Sequence, residues 1–284
     1  MPSALLAEST SSVSLCILHT NDWHSRIEPF PMDGGKLQGR GGAAKRAAMI
    51  KKIRETEKNV LLLDSGDIFQ GTPFFNLFGG ELEFKLMSEM GYDAATLGNH
   101  DFDGGLAGLS KQLPHAKFPF VIANYDFSKT ELKGKFSPYT IVEKSGLKIG
   151  IFGIGIELEG LVPKDLYGET VYLDPISTAN KVAKELKEEK KCDYVICLSH
   201  LGYAYKSGKI SDMKLASESE NIDLILGGHT HTFLEQPKEL INKMGHLVIV
   251  NQAGWAGVIL GRLDIRFDKR KRPSKPQSTM LKVS

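Results

Sequence analysis

The stretch Val60-Leu-Leu-Leu-Asp-Ser-Gly-Asp67 contains the pattern that decides the fold. An apolar run with the length of a buried β-strand is followed at once by polar residues. Similar clusters follow apolar runs elsewhere, and the full set is Asp22-Trp-His24, Asp64-Ser-Gly-Asp67, Gly98-Asn-His-Asp101, Ser199-His200 and Gly228-His-Thr-His231. Because α/β proteins bind ligands at the carboxyl ends of their strands, this repetition predicts one shared site.

Predicted helices separate the predicted strands. Residues 43–54, 81–90 and 105–113 have helical spacing, and 175–190 is amphipathic, with Pro at its start and lysines at its end. The predicted strands are 15–19, 60–63, 94–97, 120–123, 139–142, 148–154, 194–198, 222–226, 247–251 and 258–267. This alternation predicts a single α/β domain in which helices cover paired sheets.

Composition excludes several classes of partner. The net charge of +2 is too close to neutral to indicate a nucleic-acid polymer or an acidic membrane surface. No apolar run approaches the ~18 residues of a membrane span, so we expect none. The three cysteines form no CxxC pair, which argues against a thiolate metal site, and Cys16 and Cys197 lie in apolar runs as buried free thiols would.

The clusters combine carboxylates, imidazoles and one amide, a set that suits divalent Mn, Fe or Zn. Asp22 and His24 are two residues apart, so on a regular strand their side chains share a face. Ser-Gly between Asp64 and Asp67 favours a turn that brings Asp67 across the site as a bridging ligand. Two divalent cations outweigh two carboxylates, so the pocket would attract a phosphate ester and activate water for its hydrolysis.

These motifs, in this order, resemble the calcineurin-like metallophosphoesterase superfamily. Longer stretches narrow the resemblance to the catalytic N-terminal domain of the 5′-nucleotidases and UDP-sugar hydrolases. They are His19-Thr-Asn-Asp-x-His24, Asp67-x-x-Gln-Gly-Thr72, Gly98-Asn-His-Asp-Phe-Asp103, Gln252-Ala-Gly-Trp-Ala-Gly257 and Leu260-Gly-Arg-Leu-Asp264. The resemblance implies an α/β fold, a four-layer α-β-β-α sandwich of two mixed sheets flanked by helices, over residues 14–268.

The resemblance also implies the role of each site residue. Two divalent metal ions (Mn, Zn, Fe or Co) are expected, the first held by Asp22, His24, Asp67 and His231 and the second by Asp67, Asn99, His200 and His229. His100 and Asp103 look like the catalytic dyad of the family, in which the carboxylate orients the imidazole. Asn21, Asp64 and Asp101 are expected to support the ligands, and His19 to pack beneath the site.

The implied activity is hydrolysis of nucleotide phosphate monoesters by a metal-bound water or hydroxide. One alternative is a phosphodiesterase acting on cyclic nucleotides or UDP-sugars. Another is a catalytic half-enzyme that needs a separately encoded C-terminal domain, because the family's substrate-binding domain is absent from this sequence. One departure concerns His231, where bacterial periplasmic 5′-nucleotidases carry Gln.

The two ends of the chain are expected to lie outside the catalytic domain. Residues 1–13 resemble a disordered start or the remnant of a signal peptide, which favours an exported, periplasmic protein over a cytoplasmic one. Residues 269–284 begin with Lys269-Arg-Lys-Arg272 and are predicted to form a basic C-terminal tail.

Overall fold

A computed structural model describes residues 12–284. Its strands are β1 (Val13–Thr20), β2 (Val60–Asp64), β3 (Ala94–Ala95), β4 (Tyr125–Asp126), β5 (Tyr139–Lys144), β6 (Leu147–Ile154), β7 (Val171–Tyr172), β8 (Tyr194–Ser199), β9 (Leu224–Leu226), β10 (Lys238–Ile241), β11 (Leu247–Asn251), β12 (Ile259–Phe267) and β13 (Gln277–Lys282). Its α-helices are α1 (Ala43–Thr56), α2 (Pro73–Phe78), α3 (Glu81–Met90), α4 (Gly105–Gln112), α5 (Lys164–Tyr167), α6 (Pro175–Lys184) and α7 (Asp212–Glu218).

Two mixed sheets form the centre of the molecule. The first has the order β13-β12-β1-β2-β3, in which β1, β2 and β3 are parallel and β12 runs antiparallel to β1. The second has the order β10-β11-β9-β8-β6-β5, in which the four inner strands are parallel and both edge strands antiparallel. A short antiparallel pair, β4 and β7, lies apart from both sheets.

Alternate residues of each strand pack into different layers of the core. Leu15 and Ile17 of β1 join the apolar cluster between the two sheets, whereas Cys16 and Leu18 join the cluster that includes residues of α1 and α3. A third cluster packs the outer face of the second sheet against α6 and α7. The order of layers is helices, sheet, sheet, helices, which confirms the predicted α-β-β-α sandwich.

The prediction that residues 269–284 form a basic tail is wrong for the second half of this range. Strand β13 pairs antiparallel with β12, with Ile259 opposite Lys282 and Gly261 opposite Met280, and forms an edge of the first sheet. An edge strand contacts the core on few residues, so Gln277–Lys282 lacks the continuous apolar run that identified the buried strands.

Two other predictions differ from the structure. Residues 120–123 form only isolated bridges, such as Ala95 with Phe120, instead of a strand. The helix predicted over 175–190 is not α-helical throughout. Helix α6 ends at Lys184 and is followed by a π-helix over Glu185–Glu189. The predictions for residues 1–11 lie outside the described part of the chain. Within residues 12–284, no helix combines the length and apolar character needed to cross a membrane.

Candidate metal centre

Five strand ends converge on the site. Asp22 and His24 follow β1, Asp67 follows β2, and Asn99 and His100 follow β3 in the first sheet. In the second sheet His200 directly follows β8, and His229 and His231 follow β9. The carboxyl ends of parallel strands meet at one edge of a sheet, and the two stacked sheets bring their edges together.

Several of these side chains are carried by unusual backbone. Asp22, His24, Asp67, His229 and His231 all have positive φ, between 51° and 69°. Left-handed backbone is costly for residues with a Cβ and is concentrated at functional sites. The prediction that Asp22 and His24 share the face of a regular strand is therefore wrong, because both lie beyond the end of β1. The left-handed backbone after β1 brings the side chains of Asp22 and His24 together instead.

The first group of ligand-type side chains is Asp22, His24 and His231. One nitrogen or oxygen atom of each lies within 4.8 Å of the others. The Nε2 atoms of His24 and His231 are 3.0 Å apart, and Asp22 Oδ1 is 3.3 Å from His231 Nε2. Three donor atoms that point at a common space are the arrangement a divalent cation requires.

The second group is Asp67, His200 and His229, again within 4.8 Å. Asn99 lies beside it, with its Oδ1 2.8 Å from His229 Nδ1. Asp67 Oδ2 is 3.0 Å from His200 Nε2 and 3.9 Å from His24 Nε2, so this carboxylate lies between the two groups. The structure thus brings close together the residues that the sequence predicted as ligands, with Asp67 between the two groups.

The chemistry of the donors fits a cation. His200 is fully buried, and its Nε2 has no correctly aligned hydrogen bond within the described residues, although Asp67 is close. Burial lowers the pKa of His229 to about 4, and burial also lowers the pKa of His24. A lowered pKa favours the neutral imidazole, which is the form that binds a metal.

Asn21 holds Asp22 in place. Its Nδ2 donates to Asp22 Oδ2 at 2.6 Å and to the carbonyl of Gly254 at 2.5 Å, and its Oδ1 accepts from the backbone N–H of Ala253 at 2.8 Å. The backbone N–H of His229 also donates to Asp22. These contacts fix the position of Asp22 through Asn21 and connect the ends of β1, β9 and β11.

Asp101 holds the loop that carries Asp67. Oδ2 of Asp101 accepts the N–H groups of Asp67 and Gly98 at 3.0 and 2.8 Å, and Oδ1 accepts those of Ile68 and Phe69 at 2.9 and 3.2 Å. Burial raises the pKa of Asp101 to about 7, whereas four N–H donors stabilise the carboxylate. Within residues 12–284, the hydrogen bonds to both oxygens come from N–H donors, an arrangement that fits the carboxylate form.

Asp64 and His19 lie beneath the site. Asp64 accepts the hydroxyl of Thr20 at 2.6 Å and the N–H of Gly66 at 2.9 Å, which fixes the turn before Asp67. His19 is fully buried, and its Nε2 lies 3.1 Å from Asn251 Nδ2. Both positions agree with the predictions.

His100 and Asp103 form a pair at the rim of the site. His100 Nδ1 is 2.8 Å from Asp103 Oδ2, and the backbone N–H of His100 donates to Asp67 Oδ1. The hydrogen bond to Asp103 is the main cause of a raised pKa at His100. The imidazole is 40% exposed, so a molecule bound at the site can reach it.

Sequence reasoning missed the contribution of Trp255. Its ring stacks on that of His231, with centroids 5.4 Å apart and planes inclined by 6°. His200 and His24 each have a backbone carbonyl near Nδ1, but within residues 12–284 no protein group hydrogen-bonds to Nδ1 of His231. The stack therefore replaces the second hydrogen bond that usually orients a ligand histidine.

Comparison with known proteins agrees with this geometry. The model of the calcineurin-like phosphoesterase family matches residues 16–233, which is most of the chain. The chain belongs to the calcineurin-like phosphoesterase family. Members of this family bind a dinuclear metal centre, and the structure has two groups of side chains that could each hold a metal ion.

Individual relatives point to one branch of the family. A snake venom 5′-nucleotidase from Gloydius brevicauda is 36% identical over 94% of this chain and 47% of its own. The structure of a 5′-nucleotidase precursor from Thermus thermophilus has a TM-score of 0.84 at 34% identity, over 95% of this chain and 54% of its own. The NAD nucleotidase of Haemophilus influenzae has a TM-score of 0.82 at 31% identity, over 95% and 57%. The chain spans about half the length of these relatives.

Proposed function

We propose that this protein is a di-metal phosphohydrolase of the 5′-nucleotidase type, acting on nucleotide phosphate monoesters. The proposal rests mainly on the position of Asp67. Its carboxylate lies 3.0 Å from His200 Nε2 and 3.9 Å from His24 Nε2, between two ligand groups. A carboxylate has two oxygens and can bind two neighbouring cations. Carboxylate, imidazole and amide donors suit Mn, Zn, Fe or Co.

We assign each residue the role that its position supports. The first cation would be held by Asp22, His24, Asp67 and His231, and the second by Asp67, Asn99, His200 and His229. When bound, such a pair of cations polarises a phosphoryl group and brings the pKa of water towards neutrality. His100 would donate a hydrogen bond or a proton to a phosphoryl or leaving oxygen, and Asp103 would fix which ring nitrogen carries the proton.

The role of His100 can be separated from metal binding. Replacing His100 by Asn should lower kcat by about 10²–10⁴-fold, because a general acid contributes about that much. Bound metal, measured by mass spectrometry of dialysed protein, should not change. The matched control is His115→Asn, a half-buried histidine remote from the ligand groups, which should keep full activity. Loss of metal in His100→Asn would contradict the assignment.

The activity is tested with phosphate release from 5′-AMP, UDP-glucose, p-nitrophenyl phosphate and bis(p-nitrophenyl) phosphate. The chain is reconstituted with Mn²⁺, and Asp67→Asn serves as the blank. Turnover of 5′-AMP is the expected result. Preference for the diester would favour a phosphodiesterase instead. Activity on the generic monoester alone would favour the half-enzyme, and a separately produced C-terminal nucleotidase domain should then restore nucleotide hydrolysis.

We also infer that the protein is exported. The inference is supported by relatives that include a venom enzyme and a protein described as a precursor. Fractionation of cells that produce the protein from its native gene tests it, and enzyme confined to the cytoplasm would contradict it.

A further inference from the structure

Arg46 is a buried cation in the first turn of helix α1. Its side chain belongs to a residue that is only 1% exposed, whereas Lys45, Lys51 and Arg54 of the same helix are exposed to solvent. Within residues 12–284, Nε and Nη2 of Arg46 have no hydrogen-bond partner. Arginine is almost never fully buried unless its charge is compensated, so the surroundings of this guanidinium indicate its role.

The guanidinium lies over the ring of Trp23. Its Cζ is 4.0 Å from the ring centroid, which is the geometry of a cation–π contact, and such a contact is stronger when it is desolvated. Trp23 is 1% exposed and stands in the sequence between Asp22 and His24, two members of the first ligand group. At the edge of the ring, Nε1 donates to the carbonyl of Arg26 at 2.8 Å. Both contacts fix the turn that carries the two ligand-type side chains.

The same guanidinium packs against the loop after β11. A Cβ at Gly257 would collide with Nη1 of Arg46, so this close approach of the backbone depends on glycine, whose φ here is +61°. Two positions earlier in the same loop, Trp255 stacks on His231, the third member of the first ligand group. One buried charge therefore contacts both of the loops that position this group.

The charge of Arg46 also acts on the turn before Asp67. Asp64 fixes that turn because it accepts the backbone N–H of Gly66 at 2.9 Å. Burial raises the pKa of Asp64 to about 7, and the positive charge of Arg46 is among the influences that act in the opposite direction. A cation at this place thus favours the carboxylate form of Asp64.

We propose that Arg46 is a positioning residue for the first metal ion, and that its charge fixes the loops of the first ligand group by contact with Trp23 and with the backbone at Gly257. This inference rests on the proposed metal centre and adds to it a residue that lies outside the two ligand groups. If Arg46 only filled space in the core, an uncharged side chain of similar size would serve as well as a charged one.

Two substitutions of Arg46 separate its charge from its volume. Arg46→Met should weaken binding of one of the two Mn²⁺ ions by about tenfold or more in a calorimetric titration, the scale of a lost supporting residue, and leave the other ion unchanged. Arg46→Lys can still place a cation on the ring, so its loss should be at most about threefold. Unchanged affinity in Arg46→Met, or equal losses in the two variants, would overturn the proposal.

Arg54→Met is the matched control. This exposed arginine of the same helix donates to the carbonyls of Met90 and Gly91 at the end of α3, so its loss should leave the affinity for both ions unchanged. Urea unfolding of the metal-free protein shows whether each variant folds. If Arg46→Met does not fold, Trp23→Leu removes the ring instead and should show the same loss of affinity, and full affinity in that variant would contradict the proposal.

A second measurement needs no bound metal. The backbone N–H groups of Asp22 and His24 donate to carbonyls of the loop after β2 at 2.8 and 3.0 Å, so their hydrogen exchange reports how often the turn opens. In the metal-free protein, a peptide covering residues 21–27 should exchange about tenfold faster in Arg46→Met and at the unmodified rate in Arg54→Met. If the unmodified chain binds no Mn²⁺, the proposed function fails, but these rates still decide the role of Arg46. An unchanged rate in Arg46→Met would refute it.

Discussion

Asp101→Asn is the substitution that most directly perturbs the support of the metal centre. The carboxylate accepts four backbone N–H groups, two on each oxygen. Asparagine has one acceptor oxygen, so its NH₂ group must face either the Asp67 and Gly98 pair or the Ile68 and Phe69 pair. Two buried N–H groups then lose their acceptor whichever way the amide is turned.

The loss of these two hydrogen bonds sets the expected fall in stability. A hydrogen bond to a charged group contributes about 1.5–3 kcal/mol, so the free energy of unfolding should fall by about 3–6 kcal/mol. That is a large part of the roughly 5–15 kcal/mol by which a typical domain is stable. Because the same N–H groups fix the loop of Asp67, the variant should also bind metal more weakly.

The assay is urea unfolding of the metal-free protein, followed by circular dichroism. Asp93→Asn is the matched control, because Asp93 Oδ2 accepts one backbone N–H, that of Leu62, at 2.8 Å, and Oδ1 accepts a long hydrogen bond from the partly exposed Lys144 Nζ at 3.4 Å. The amide oxygen of asparagine can keep the hydrogen bond from the N–H of Leu62. The free energy of unfolding of the control should therefore fall by about 1 kcal/mol or less. Equal losses in the two variants would refute the reasoning.

Trp255→Ala should weaken binding of one Mn²⁺ by about 10-fold or more in a calorimetric titration, because His231 loses the ring that orients it, whereas Trp255→Phe should largely keep the affinity. The pH dependence of stability should change in Asp212→Asn. Burial raises the pKa of Asp212 to about 8, so the folded protein keeps a proton that the unfolded chain releases above pH ~4. The contribution of Asp212 to stability therefore falls between about pH 4 and 8, by up to ~1.4 kcal/mol per pH unit, and the neutral amide removes this contribution. Urea unfolding at pH 5 and 8 measures it, and equal slopes for the two proteins would contradict the assignment.

The strand ends could be predicted because their signals are local. Apolar runs such as Val60–Asp64 end at polar clusters, and parallel pairing then brings those clusters to one edge. Edge strand β13 could not be predicted in this way, because its stability comes from pairing with β12 and not from its own apolar residues. Residues 120–123 are the opposite case. This apolar run was predicted as a strand, but it packs in the core and forms only isolated bridges.

Within the site, residue identity was predictable and geometry was not. The positive φ of Asp22 and His24 depends on backbone bonds to the loop after β2, from Asp22 N to Gly66 O and from His24 N to Asp67 O. Such contacts between distant segments leave no periodic signal in the sequence. The same reason hides the stack of Trp255 on His231, whose partners are separated by more than twenty positions along the chain.

In the metal centre that we propose, side chains from five strand ends hold two divalent cations, with Asp67 shared between them. The most direct measurement is the number of Mn²⁺ ions bound per chain, by equilibrium dialysis and elemental mass spectrometry. We expect two ions in the unmodified protein and in His100→Asn, one in His231→Ala, and fewer than one in Asp67→Asn. Two ions retained in Asp67→Asn, or a single ion in the unmodified chain, would contradict it.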